Sequence, residues 1–219
     1  MPDRPHAIAP VWHTLAMLAL LAALSWMAVS VGMASGNAKL HHLPLYSIVI
    51  VGEWVTFAFA LWGSDATFAT FVGRVIREPR TLGWDILTAV LIGGVLLLIT
   101  PVIVRLMGPS GWVSTKGMLP RNSVEVGVWV VMATSAGICE ETVFRGYLQQ
   151  QVAGWTGLAS AGIVVQAIIF GAAHAYQGFK NVSLICIWGL VFGLAAWLRR
   201  GLRGNMIAHA VIDVLSILS

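Results

Sequence analysis

The chain has 219 residues, 58% of them hydrophobic and only 10% charged, with a mean hydropathy of +0.84, whereas soluble domains carry about 25% charged residues. That balance excludes an ordinary soluble protein and points to an integral membrane protein. The net charge of +4 does not indicate a nucleic-acid partner: no nucleic-acid motif is present, and Arg74, Arg77, Arg80, Arg105, Lys116, Arg121, Arg199, Arg200 and Arg203 sit mostly in short connections, where they read as topology determinants and headgroup contacts.

In chain order, a weakly charged start precedes the uncharged stretch Thr14 to Ala38, longer than the h-region of a cleaved signal, and so reads as a retained first span. Ile86 to Val104 and Thr156 to Phe179 also lack Asp, Glu, Lys and Arg, each near or above the roughly 18 to 20 residues that cross a bilayer. Hydropathy places spans near 12–34, 44–63, 84–105, 124–138 running on helically to 151, 157–175, 181–198 and 203–218. The expected fold is an all-α, multi-pass bundle of about seven to eight transmembrane helices in the cell membrane, with the active site inside it. Ala66 to Arg77 mixes Phe68, Phe71 and Val72 with Arg74 and Arg77 and suits an interfacial amphipathic helix. Gly108-Pro109-Ser110-Gly111 and Gly201 to Gly204 mark connections, and Gly189-Leu-Val-Phe-Gly193 is a small-xxx-small pattern for close helix packing. The loop distribution of Lys and Arg favours a cytoplasmic N-terminus.

Within these spans a few residues carry the chemistry. Glu53 lies near the middle of the second span, where it either lines a cavity or pairs with a distant arginine. Cys139-Glu140-Glu141-Thr-Val-Phe144-Arg145-Gly146 follows directly on the apolar run Val124 to Ile138. A carboxylate near hydrocarbon costs several kcal/mol or more. On a helix Glu141 and Arg145 are i, i+4 neighbours and can pair, while Glu140 points about 100° away and stays available. The plainer alternative is a helix-end ion pair at the headgroups. His174 closes an apolar run one turn after Phe170 and, taken alone, equally suits a hydrogen-bonded structural histidine. Asn205, His209 and Asp213 recur at intervals of four as one polar stripe. Asp213 can accept a proton from His209 and fix its tautomer; alternatively the stripe only joins helices. Convergence of Glu140, Glu141, Arg145, His174, His209 and Asp213 on one hydrated cavity lets costly groups satisfy one another. Cys139 and Cys186 form neither a disulfide framework nor a metal spacing.

These three pieces, Glu140-Glu141-x-x-Phe144-Arg145-Gly146, Phe170-x-x-x-His174 and His209-x-x-x-Asp213, resemble in order the motifs of the CAAX protease and bacteriocin-processing family of intramembrane proteases, also called the Abi or type II CAAX prenyl endopeptidase family. The resemblance spans residues 120–219 as a catalytic transmembrane domain, with 1–119 as N-terminal transmembrane helices that bear no family signature. It implies peptide-bond hydrolysis in the membrane by a glutamate-activated water. Glu140 would be the general base, His174 would help to hold the water, Glu141 and Arg145 would brace the site, and His209 would donate to the oxyanion. A low-dielectric cavity suits both a carboxylate base and oxyanion donors. Asp213 departs from the most suitable residue, because Asn can donate to an oxyanion and ionised Asp cannot; orienting His209, or being itself protonated, fits it better. Glu140, His174 and His209 would also make a two-His-one-carboxylate zinc set, but no HExxH spacing is present and the resemblance implies no metal or other cofactor. The implied partners are the bilayer and a membrane-embedded peptide or lipidated protein, whose identity the sequence does not choose.

Three rivals stand beside this reading. A proton-coupled transporter also uses Glu, His and Asp at membrane depth, but no inverted repeat relates the two halves. A non-catalytic, immunity-type partner of the same fold would be favoured by loss of Glu140 or His174, and both are present. Cys139 as nucleophile needs a role beyond the small-residue packing that suffices for it.

Overall fold

The computed structural model describes residues 6–30, 42–65 and 82–218. They form seven helices: α1 (Val11–Ser30), α2 (His42–Trp62), α3 (Leu82–Met107), α4 (Ser123–Thr156), α5 (Ala159–Ala173), α6 (Gly178–Arg199) and α7 (Arg203–Leu215). No strand occurs among the described residues. The expected interfacial helix at 66–77 and the end of the first expected span, 31–34, lie outside them.

Five segments are long and apolar enough to cross a membrane: α1, α2, α3, α4, and α6 with the short turn that precedes it. Two of the expected crossings, 157–175 and 203–218, differ. α5 has 15 residues and α7 has 13, short of the roughly 17 to 25 that a full span takes. Local backbone chemistry sets the limits. α5 is bounded by Gly157 at φ 72°, just beyond the end of α4, and by His174, which leaves the helix at φ −96°. α7 starts after a turn in which Arg200 takes φ 51°.

The outer surface is apolar, with Leu97, Leu98 and Leu106 strongly exposed, while charged and amide side chains gather inside. That inversion of the soluble pattern is what a lipid-facing surface requires, since hydrocarbon offers buried polar groups no partner. α4 is the central helix: α2 and α7 pack on its first half, α5 on its second, α3 backs α7, and α6 lies against α5. Two glycines permit the closest approaches. A Cβ at Gly137 would stand 2.7 Å from the Met206 carbonyl oxygen, which brings α7 onto α4 backbone to backbone. A Cβ at Gly189 would stand 3.0 Å from Ala167 of α5. The Gly189/Gly193 face is therefore a packing seam, and the buried amides of Gln166 and Gln149 lock it by donating to the Gly189 and Gly193 carbonyls at 2.9 and 3.0 Å.

The N-terminal helices are fastened to the same centre. Gln151 accepts from the backbone N–H of Ile8 and of Ala9 at 2.8 and 3.1 Å and donates to the Ala9 carbonyl at 2.7 Å. Buried His13 donates to the Phe59 carbonyl at 3.0 Å, which leaves its Nδ1 to accept from Tyr147 at 2.6 Å. On the other side, Asp85 of α3 receives Arg203 at 2.7 Å and Arg199 at 3.8 Å. Lys180 donates to the carbonyls of Met107 and Gly108, which ends α3 with a cation where the helix dipole favours one.

Candidate active site

The motif helix changes its winding where the carboxylates stand: Ser123–Glu140 is α-helical and Glu141–Leu148 is π-helical, a local widening often found at functional sites. All eight residues of the π-helical stretch are buried.

Glu141 and Arg145 form the expected pair, 2.9 Å apart with both side chains fully buried. Glu141 is held two more ways. Its Oε1 accepts from His209 Nδ1 at 2.8 Å, and its Oε2 accepts from Asn205 at 3.2 Å. Asn205 also donates to the Phe192 carbonyl at 2.8 Å, so α7 is tied at once to α4 and to α6. The guanidinium of Arg145 lies 4.2 Å from the ring centre of Phe170, 5.1 Å from Phe192 and 6.0 Å from Phe144. Its Nε and Nη2 have no hydrogen-bond acceptor and are matched by these ring faces instead. Phe144 and Phe170, which enter the sequence reading only as members of the motifs, are thus an aromatic wall around the brace.

His209 meets its expected partner, Asp213, and a second carboxylate as well. Asp213 was the group expected to fix its tautomer through one ring nitrogen, yet Glu141 takes Nδ1, and the opposite nitrogen, Nε2, stands 3.5 Å from Asp213 and 3.6 Å from Glu140. The reason is positional: Asp213 is i+4 on the same helix and reaches only the outward edge of the ring, whereas α4 presents Glu141 to the inward edge. Asp213 is the more open of the three carboxylates, its side chain 38% exposed, and Trp129 donates to its backbone carbonyl at 3.0 Å.

Glu140 has the opposite character to Glu141. The 3.6 Å approach to His209 is too long for a hydrogen bond, and Glu140 Oε2 is buried without a hydrogen-bond partner. It lines a cavity of about 170 Å³ between α1, α2 and α4, together with His174, Tyr176 and Glu53 and an apolar wall that includes Leu21, Leu24 and Ile48. His174 donates through Nδ1 to the Phe170 carbonyl at 2.8 Å; a carbonyl only accepts, so the neutral ring keeps its Nε2 lone pair free. His209 and Asp213 are not among the residues that line this cavity, although Nε2 of His209 comes within 3.6 Å of Glu140, and Phe170 touches both histidines, its ring centre 5.0 Å from that of His174 and 6.1 Å from that of His209.

Among the described residues no group of three or more His, Cys, Asp or Glu side chains is arranged to hold a metal ion. Cys139 is fully buried and is not a wall of the cavity. Of the two places the sequence left open for Glu53, a cavity wall or a distant arginine, the structure gives the first: it belongs to α2 and lines the cavity.

Residues 122–215 match the family model described as type II CAAX prenyl endopeptidase Rce1-like. The match contains all three motifs and agrees with the resemblance drawn from them. No curated protein and no solved structure matches the chain significantly.

Proposed function

We propose, for a chain whose residues 122–215 match the Rce1-like type II CAAX prenyl endopeptidase family model, that it hydrolyses a peptide bond of a membrane-associated or lipidated protein with a water activated by Glu140. The observation that carries this reading is the contrast between adjacent carboxylates. Glu141 is saturated by Arg145, His209 and Asn205, whereas Glu140 lines the cavity and its buried Oε2 has no hydrogen-bond partner, the nearest group being Nε2 of His209 at 3.6 Å. A general base must have such an oxygen free for the proton it removes.

In the proposed mechanism a cavity water gives its proton to Glu140 and is steadied by the free Nε2 of His174. The hydroxide so formed attacks the carbonyl carbon of the substrate. His209 stabilises the resulting oxyanion from Nε2; because Nδ1–H is already given to Glu141, it does so as the imidazolium, which Glu141 stabilises in turn. Arg145 keeps Glu141 a carboxylate and therefore an acceptor. Residues 1–119 act as N-terminal helices that wall the cavity, and residues 120–219 as the catalytic unit of a multi-pass protein of the cell membrane.

The test uses the full chain reconstituted in liposomes and a quenched fluorescent peptide that carries a farnesylated cysteine three residues from its C-terminus, beside an unmodified transmembrane peptide. Cleavage of either reporter that is lost in Glu140→Gln and retained in Cys139→Ala is the expected result. Cleavage by Glu140→Gln at the wild-type rate would reject the mechanism.

A further inference from the structure

Amide hydrolysis needs a second proton transfer that the steps above leave unassigned, because an amine leaves only once its nitrogen is protonated. The cavity contains another carboxyl. Glu53 is 8% exposed, shares the cavity with Glu140, His174 and Tyr176, and, like Glu140, has a buried Oε2 with no hydrogen-bond partner. Foremost among the charged groups that act on it are Glu140, His209 and Asp213, all of the same site; buried Cys139 and Tyr176 are its other titratable neighbours. Its helix is fixed beside the motif helix, since Trp54 donates to Ser135 at 3.1 Å. Two bare carboxylates on the wall of one mostly apolar cavity repel, and one proton on either of them relieves both. A pair in that condition contains an acid and a base at once.

We infer that Glu53 is a second catalytic residue, the general acid that protonates the leaving amide nitrogen while Glu140 takes a proton from water. The inference rests on the endopeptidase reading above. Water loses a proton to the Glu140 carboxylate, and its oxygen bonds to the carbonyl carbon as the C=O electron pair moves onto oxygen. The C–N bond then breaks, its electron pair stays on nitrogen, and that nitrogen takes the proton of Glu53. The products are a carboxylic acid and an amine. Transfer of the new proton from Glu140 to Glu53 through cavity water restores both groups.

Two probes with one acyl part, a farnesylated cysteine peptide, separate this role from others: in the first the scissile bond is a peptide bond, in the second it is a 4-nitrophenyl ester, whose phenolate leaves without a proton. With the full chain in liposomes, Glu53→Gln is expected to lower kcat on the amide about 100- to 10,000-fold and on the ester less than about tenfold, while Glu140→Gln lowers both. Equal losses of Glu53→Gln on amide and ester, or an unchanged amide rate, overturn the inference and leave the endopeptidase reading intact; a wild-type protein that cleaves neither probe overturns both. Glu53→Asp keeps an acid one methylene shorter and guards against a variant that fails to fold. Its amide rate is expected to exceed that of Glu53→Gln, and a rate at or below it rejects the acid role.

Discussion

The Nδ1 of His209 lies 2.8 Å from Oε1 of Glu141, the same oxygen that receives Arg145 at 2.9 Å. One carboxylate oxygen thus joins the motif helix to the last helix and decides which edge of the His209 ring remains for chemistry.

Removing the cation from this arrangement leaves a fully buried carboxylate short of its main partner, at a cost of about 3 to 5 kcal/mol. Arg145→Ala is therefore expected to lower the melting temperature in detergent as well as activity, and differential scanning fluorimetry measures it. An unchanged melting temperature would mean that the guanidinium serves the substrate and not the fold.

Asp213 and His209 are expected to separate. Asp213→Asn keeps an oxygen near Nε2 of His209 and leaves the Glu141 contact to set the tautomer, so part of the activity survives. His209→Ala removes the proposed oxyanion donor, which costs about 100- to 1,000-fold in kcat. Steady-state kinetics on the farnesylated reporter compares them, and equal inactivity of the two variants would assign the negative charge of Asp213 an essential role.

How much of this was legible beforehand follows from what helical spacing can encode. The i, i+4 relation of Glu141 to Arg145 is local, and the structure reproduces it at 2.9 Å; the Gly189/Gly193 pattern likewise forms a helix seam. Spacing reports which face a residue occupies but not which neighbour meets that face. For this reason the sequence paired His209 with Asp213, four residues away, and missed Glu141, which is 68 residues away. The aromatic wall of Arg145 escaped for the same reason, since it depends on contacts between separate helices, and Glu53 stayed between a cavity wall and a distant arginine until the tertiary fold put it in the cavity. The lengths of α5 and α7 were overestimated because apolar residues continue past the turns at His174 and Ser216 that end them.

Close packing at Gly137 predicts a further loss. Its added Cβ would press on the Met206 carbonyl, which is backbone and cannot swing aside. Gly137→Val is expected to destabilise the bundle by about 1 to 3 kcal/mol and, by shifting α7, to depress activity more than its stability change alone explains. Thermal unfolding and kinetics on the same preparation check both.

Activity is expected to persist after dialysis against a strong chelator, and elemental analysis of the purified protein is expected to return no stoichiometric zinc. Activity that disappears with chelation and returns with zinc alone would make His174 and His209 ligands and replace the glutamate-only mechanism.

The central claim, that the free carboxylate of Glu140 activates the water, is tested most directly by single-turnover cleavage in liposomes with wild type, Glu140→Gln and Glu141→Gln at matched folded yield. Glu140→Gln preserves size and loses only the base, so the account predicts no detectable cleavage with the melting temperature close to wild type, while Glu141→Gln loses stability as well as rate. Cleavage by Glu140→Gln within about tenfold of wild type would contradict it, since a positioned general base contributes about 100- to 10,000-fold.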